Sequence, residues 1–532
     1  MRILTSLQQG ALLAIASLSL VACNSFLDEN PRSDLVELDT PEKIRALLPA
    51  AYSTKSPTYL LELASDNVQD DGLDHPYGNQ FSVGAAYWKK ILNSDGYYDS
   101  PYQIWEGNYN AILHANTALR ALDQLSDQES DLVKACRGEA LLARAWAHFQ
   151  LVSVFSLAYD PTTADKDLGI PYLLEPVTRL QPDYPRGTVA ETYAKIEADL
   201  TAGIPLVESY VVYPEEKKKF HFSAPAAYAF AARFYLYYQK WDKAIEYADK
   251  VLGGNAATMI RDWKSFTTTP RTDAAYALHY YDLTNKANLM AILRQTNYVG
   301  QTTGGTTYSN TRLTQSQYLT RIETLFAKNI WGRQDAYWFQ PFIYTEKNIN
   351  KTVQPKLPSF PSDSYKSFEI PFTTDETLMV RAEAKIHKGS AHYQSALADL
   401  NVWTSAYLND MDGSTARQKT FTLAEVVKHY NALAYDSESR GSLRKNFQPH
   451  FTIASEEENA LLQHLLQCRR ILTLHEGLRW QDVKRYGITV YRRVNNNGTY
   501  SVQDQLPGRD PRQAIALPDQ SVTLSIRPNP TK

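Results

Sequence analysis

The chain has 532 residues, a formal net charge of −3 and 21% charged residues. That length suffices for one large domain or two to three ordinary ones, and the near-neutral balance lacks the basic face a nucleic-acid surface needs. Three cysteines, Cys23, Cys136 and Cys468, are too few for a disulfide framework, while 35 tyrosines and 9 tryptophans suit either an aromatic core or ligand platforms.

The N-terminus reads as a targeting segment. Arg2 supplies a positive charge, and Ala11 to Val21 is an apolar run too short to span a bilayer. Leu20-Val21-Ala22-Cys23 resembles a bacterial lipoprotein cleavage box, with a small residue before the cut and a thiol after it. The alternative is an ordinary signal peptide beside an unrelated cysteine. On the lipoprotein reading residues 1–22 are removed, Cys23 is acylated, and residues 23–40 form a tether. Each lipid CH₂ buried then contributes about 0.8 kcal/mol. No later segment has 18 or more consecutive apolar residues, so none is expected to span a membrane.

Thr40 to Ala51 reads as a capped helix, and Leu60 to Ala64 starts another. The acidic stretch Ser65 to Gly72 fails the calcium-loop spacing, because no carboxylate falls at its twelfth position, and is expected to be a solvated loop. Tyr77 to Tyr102 is aromatic without a helical period: Tyr87, Trp88, Tyr97 and Tyr98, with a turn signal at Ser94-Asp95-Gly96. Rings in a loop can stack on the C–H faces of sugars, or the loop can fold in against helices; the residues leave both open. Trp105, Tyr109, Ile112 and Asn116 recur at helical spacing, and Glu139 to Phe155 is a long second helix. Thr188 to about Leu200 is a further helix with a conventional cap.

Phe222 to Gly254 is a helical hairpin. Ser223 can cap the first helix, Pro225 fits its first turn, Asp242 can cap the second helix, and Gly253-Gly254 stop it. Tyr228, Ala231, Ala232 and Tyr235 match the first helix of a tetratricopeptide repeat, and Ala244 and Ala248 match the small residues of its second. Such a hairpin cannot bury its own apolar face and must stack on neighbours. Trp263 to Phe372 is the least helical part. It carries the Gly/Thr run Val299 to Tyr308, which lacks the lysine and spacing of a phosphate loop, and the proline-punctuated Pro355 to Pro361. It is expected to be an insertion on one face of the stack. Glu376 to Trp403 repeats the alanine spacing, with Gly389 between its helices, and a last hairpin runs from about Glu456 to Tyr486. Tyr491 to Val502 reads as a β-hairpin on Asn497-Gly498. Cys136 and Cys468 lie in helix-like stretches, as buried thiols or a bridge. The fold class expected is mostly α: a tetratricopeptide-like superhelix of about four hairpins with long loop insertions and minor β-hairpins, one domain over 41–532.

Several segments, in order, resemble the SusD/RagB outer-membrane lipoproteins of the Bacteroidetes. They are Phe26-Leu27-Asp28 after the cysteine, Leu63-Ala64-Ser65-Asp66, the Trp105…Asn116 helix, Glu139-Ala140 with Arg144-Ala145, Gly169-Ile170-Pro171, Arg381-Ala382-Glu383-Ala384, Glu476 to Asp482 with Arg485, and Ala516-Leu517-Pro518. Leu472 departs from the pattern, standing where the family often has an acid.

The resemblance implies a non-catalytic, cell-surface lipoprotein in the outer membrane. It would capture oligosaccharide, or alternatively peptide, and act as a lid over a SusC-like TonB-dependent barrel, without cofactor or metal. No G-x-S-x-G or H-E-x-x-H motif is present, although a carboxylate pair for glycoside hydrolysis stays open. Carried over by region, the ligand contacts fall on Asp66 or Asp70 as hydroxyl acceptors, on Tyr87, Trp88, Tyr97 and Tyr98 as stacking platforms, and on Tyr298 from the insertion. Trp105, Arg144, Glu383 and Asp482 read as structural.

Overall fold

Alanine lets two helices approach closely, and the 222–254 hairpin uses it at the contact. In a computed structural model, Ala231, Ala232, Ala244 and Ala248 are fully buried between helices Ala224–Tyr237 and Trp241–Leu252. Ser223 occupies the cap position without a side-chain bond. The second helix begins at Trp241, one residue before the expected cap Asp242, and Gly253 ends it at φ +60°. The structure describes residues 37–72, 80–92, 97–176, 184–298, 312–332, 335–346, 349–360, 363–519, 521 and 526–529. The expected signal peptide, Cys23, the turn at 94–96 and the Gly/Thr run lie outside these residues.

The helices used below are α1 (Thr58–Ala64), α2 (Pro101–Gln124), α3 (Asp131–Phe155), α4 (Val189–Ser209), α5 (Ala224–Tyr237), α6 (Trp241–Leu252), α7 (Thr374–His387), α8 (Tyr393–Tyr407), α9 (Glu456–Leu472) and α10 (Arg479–Tyr486). From α2 to α8 each helix packs on the next, and α7 also packs on α9. The 222–254 hairpin is therefore flanked on both sides, by α4 and by α7, as a stacked repeat requires. α4 starts with a full capping box, Thr188 and Glu191 each bonding the other's backbone N–H. None of the described helices is long and apolar enough to cross a membrane. Cys136 and Cys468 are buried free thiols, and burial pushes the Cys136 thiol up to about 12.

Buried ion pairs stitch successive helices. Arg144 of α3 grips Asp199 of α4 through two bonds of 2.8 and 2.7 Å. Arg381 of α7 grips Asp399 of α8 at 3.0 and 2.7 Å, and Arg469 of α9 holds both oxygens of Asp482 of α10. Arg469 and Arg485 share Glu383 of α7. Arg144, Glu383 and Asp482 are structural, as expected, and Trp105 is buried against Phe155.

The 263–372 segment is more regular than a loop insertion. After β1 (Gln69–Asp70) in the N-terminal part, its strands include β2 (Asn288–Gln295), β3 (Leu313–Thr314), β4 (Phe342–Glu346), β5 (Ile349–Val353), β6 (Ser359–Phe360) and β7 (Asp363–Thr373). Antiparallel β2 and β7 form its neck, and β7 runs directly into α7. The hairpin Val490–Asn496 to Thr499–Leu506 turns on Asn497 and Gly498, both at positive φ, as an Asn-Gly turn demands. Its first strand pairs in parallel with Gln69–Asp70, whose other neighbour is β3.

Asp199→Ala would leave the Arg144 guanidinium buried without its carboxylate. It should cost about 3–5 kcal/mol in a urea titration, whereas removing the exposed Lys43–Asp39 pair should leave the midpoint unchanged.

Candidate functional site

Helix α1 stops because Ser65 turns the chain back on itself. The Ser65 hydroxyl donates to the Glu62 carbonyl at 2.8 Å and accepts from the Asn67 N–H at 3.1 Å. The turn drives the acidic stretch inward, so the solvated loop expected over 65–72 is corrected: Asp66, Asp70 and Asp71 are buried. Arg479 grips both oxygens of Asp66, at 2.8 and 2.9 Å, with Arg470 and Lys445 beside it. Burial alone would raise that carboxyl, but these cations hold it well below the usual carboxylate range. Asp70 accepts from the Tyr87 hydroxyl at 2.6 Å and from the Gly72 N–H at 2.9 Å. Both acids are buried and engaged by partners inside the protein, so neither stands at the surface as the expected acceptor of a sugar hydroxyl. Among the described residues no group of three or more His, Cys, Asp or Glu could hold a metal ion.

Of the two readings left open for the aromatic loop, Tyr87 and Trp88 take the second and fold in against the protein. A short helix, Gln80–Ala86, occupies the loop, and Trp88 follows it at φ +53°. Trp88 is 7% exposed, donates from Nε1 to the Ala64 carbonyl at 2.8 Å, and has Arg492 at 5.2 Å and Arg512 at 5.5 Å from its ring. Tyr87 is 6% exposed. Tyr298 is buried, stacked on Tyr59 at 4.7 Å, with its hydroxyl 2.7 Å from Nδ1 of His475. Through those arginines Trp88 ties the N-terminal part to residues some 400 positions away, which no local pattern announces.

Tyr97 and Tyr98 remain half-buried. Tyr97 stacks on Phe81 at 4.6 Å. Tyr98 is pinned to the end of β2, its N–H donating to Asn297 Oδ1 at 2.8 Å. The Lys55 ammonium lies 4.6 Å from its ring and donates to Gln295 Oε1 at 2.7 Å. Gln295 and Leu293 are two apart on β2 and so share its outer face. Leu293, 40% exposed, pairs with Phe368 of β7. Phe368 stacks on Tyr281 at 4.7 Å, with Phe220 at 5.9 Å. The outer face of the β2–β7 ladder is thus a half-exposed aromatic run with polar groups set between the rings. Leu293, Phe368, Tyr281 and Phe220 were not expected from sequence; an alternation along 363–373 could have pointed to Phe368 alone.

Asp99 holds this end of the ladder. It accepts from the Thr296 hydroxyl at 2.6 Å and the Asn297 N–H at 2.7 Å, and burial raises its pKa from 3.8 to about 7. The native state therefore keeps this proton between about pH 4 and 7, where the unfolded chain has lost it. The resulting stability is complete below the unfolded value and declines as pH rises to about 7. Asp99→Asn should flatten the fall of the melting temperature over that interval, read by thermal melts at stepped pH. Trp88→Ala should act on stability, by about 3–5 kcal/mol in denaturant titration, because it opens a cavity in the core.

Residues 25–236 match a SusD-like family model described as starch-binding and associating with the outer membrane. No curated protein matches the chain. Similar solved structures include a SusD-like carbohydrate-binding protein from Bacteroides vulgatus, at 15% identity, covering 91% of this chain and 96% of that one with a TM-score of 0.62. A SusD superfamily protein from Bacteroides thetaiotaomicron matches at 15% identity, 93% and 100% coverage and a TM-score of 0.62. Surface glycan-binding protein A from Bacteroides uniformis matches at 14%, 92% and 99%, with a TM-score of 0.58. At these identities the likeness is one of fold. Residues 25–236 thus match the SusD-like family, and the fold along the whole chain is the one these solved structures share.

Proposed function

We propose that the protein captures oligosaccharide at the outer membrane, without cleaving it, and passes it to a SusC-like TonB-dependent barrel over which it acts as a lid. The observation that carries the ligand reading is the aromatic outer face of the β2–β7 ladder. Flat rings bury the C–H faces of pyranoses, and Gln295 and Lys55 stand between them to bond hydroxyls. The matched family is described as starch-binding, and one similar structure is a glycan-binding surface protein, which favours sugar over peptide. Anchoring through an acylated Cys23, facing the cell exterior, belongs to the same reading, as does the barrel partner. Tyr97 and Tyr98 stay as ligand contacts; Asp66, Asp70, Tyr87, Trp88 and Tyr298 do not.

The test is a calorimetric titration of purified protein with a panel of oligosaccharides and peptides, with product analysis for turnover. At least one oligosaccharide should bind and emerge intact. Tyr98→Ala and Phe368→Ala should each weaken it roughly five- to tenfold, the loss of one stacked ring of about 1 kcal/mol. Unchanged affinity in both variants removes this face, and binding of peptides alone replaces the sugar reading.

A further inference from the structure

Behind the β2–β7 ladder lies a cavity of about 110 Å³. A single water needs only about 10–15 Å³ by this measure, so the space takes several waters or one small ring, not a chain. Its walls include Trp146 and Phe149 of α3, Tyr237 of α5, and Tyr280, all buried. The polar atoms of this aromatic lining without a hydrogen-bond partner among the described residues include Ser153 Oγ, His475 Nε2 and three others. Arg233 donates from Nε to Glu376 at 3.0 Å and from Nη2 to the Pro371 carbonyl at 2.6 Å, leaving Nη1 unused. Glu476 receives the Tyr280 hydroxyl at 2.6 Å and the Lys356 ammonium at 2.9 Å on Oε1 alone, leaving Oε2 unused. The Tyr237 hydroxyl is the third. Arg233 and Tyr237 are four residues apart on α5 and share one face.

The charges around the cavity cancel. Arg233 pairs with Glu376, Arg294 with Glu369 at 3.2 Å, and Lys356 with Glu476. Burial keeps the neighbouring His475 neutral, its pKa pushed down to about 3, and keeps the Tyr237 hydroxyl protonated, pushed up to about 12. A charged occupant would bring an uncompensated charge into a buried, neutral rim, at high cost. A neutral molecule with hydroxyls on its edge and an apolar face would meet a donor, an acceptor and a hydroxyl as well as the rings.

We infer that this cavity is a second binding site, behind the ladder, for one neutral polyhydroxylated ring such as a single pyranose or a cyclitol. It stands independently of the outer face, which is reached from the other side of the ladder.

The test uses the purified full-length protein in detergent, with free D-glucose, D-galactose, D-mannose and myo-inositol as probes and methylammonium and acetate as charged counter-probes. Ligand-observed NMR and calorimetry should show at least one neutral ring binding with 1:1 stoichiometry, and neither counter-probe. Tyr237→Phe and Glu476→Gln should each weaken that binding about fivefold or more, as expected for one lost hydrogen bond in a closed site. Leu61→Phe, which fills the cavity, should abolish it, and Phe368→Ala should leave it unchanged. Should Leu61→Phe fail to fold in a thermal melt, the two conservative variants decide. The inference is overturned by no binding of any neutral ring at millimolar concentration, by binding that Tyr237→Phe and Glu476→Gln leave unaltered, or by preference for methylammonium or acetate. Weakened oligosaccharide binding in Phe368→Ala, with ring binding intact, separates the two sites.

Discussion

A guanidinium held inside the protein by a carboxylate from the following helix is the interaction on which the stack depends. It occurs between α3 and α4, between α7 and α8, and between α9 and α10, and each time the arginine uses its fork on both oxygens. Hairpins that share small residues at their contacts slide easily, because alanine offers little shape to fix a register. A two-bond pair between planar groups fixes it. Replacing such a pair by apolar residues can be neutral for stability, so specificity of helix alignment is the better physical account of its recurrence.

The same device closes the ends of the chain on each other. Glu62 and Asp66 lie near the N-terminus, while their partners Arg479, Arg470 and the backbone of His475 and Gly477 lie some 400 residues on. Arg492 adds bonds to the carbonyls of Leu63 and Ser65. The strand Gln69–Asp70 then sits between the C-terminal hairpin and β3. The end of α1 and the loop after it are thus wrapped by the last hairpin of helices, and no part of that junction can form until the chain is nearly complete.

This long reach explains which features could be read in advance. The Asn497-Gly498 turn, the Thr188 cap and the alanine pattern of 222–254 are written by residues within a few positions of one another, and each is present. The fate of Asp66 and Trp88 is not local. An aspartate before a polar loop looks solvated until three cations from beyond residue 440 surround it. A tryptophan in an aperiodic stretch looks like a platform until Arg492 and Arg512 cover its ring. The insertion was misjudged for a related reason. Its strands are regular, but β2 and β7 are separated by more than sixty residues, so the pairing that makes them a ladder leaves no hairpin signature.

That ladder also shows how two strands can serve opposite sides of the protein. Side chains alternate along a strand, so Leu293, Gln295 and Phe368 point outward to the aromatic face, while Arg294 and Glu369 point inward and pair at the wall of the cavity. A slip of one residue in register would carry the charged pair to solvent and the apolar groups into a site whose charges now balance. Register is set at one end by Asp99, through Thr296 and Asn297, and at the other by the direct run of β7 into α7, whose arginine is already committed to Asp399. The constraint that aligns the helices therefore extends into the sheet. Both candidate binding surfaces inherit their geometry from it.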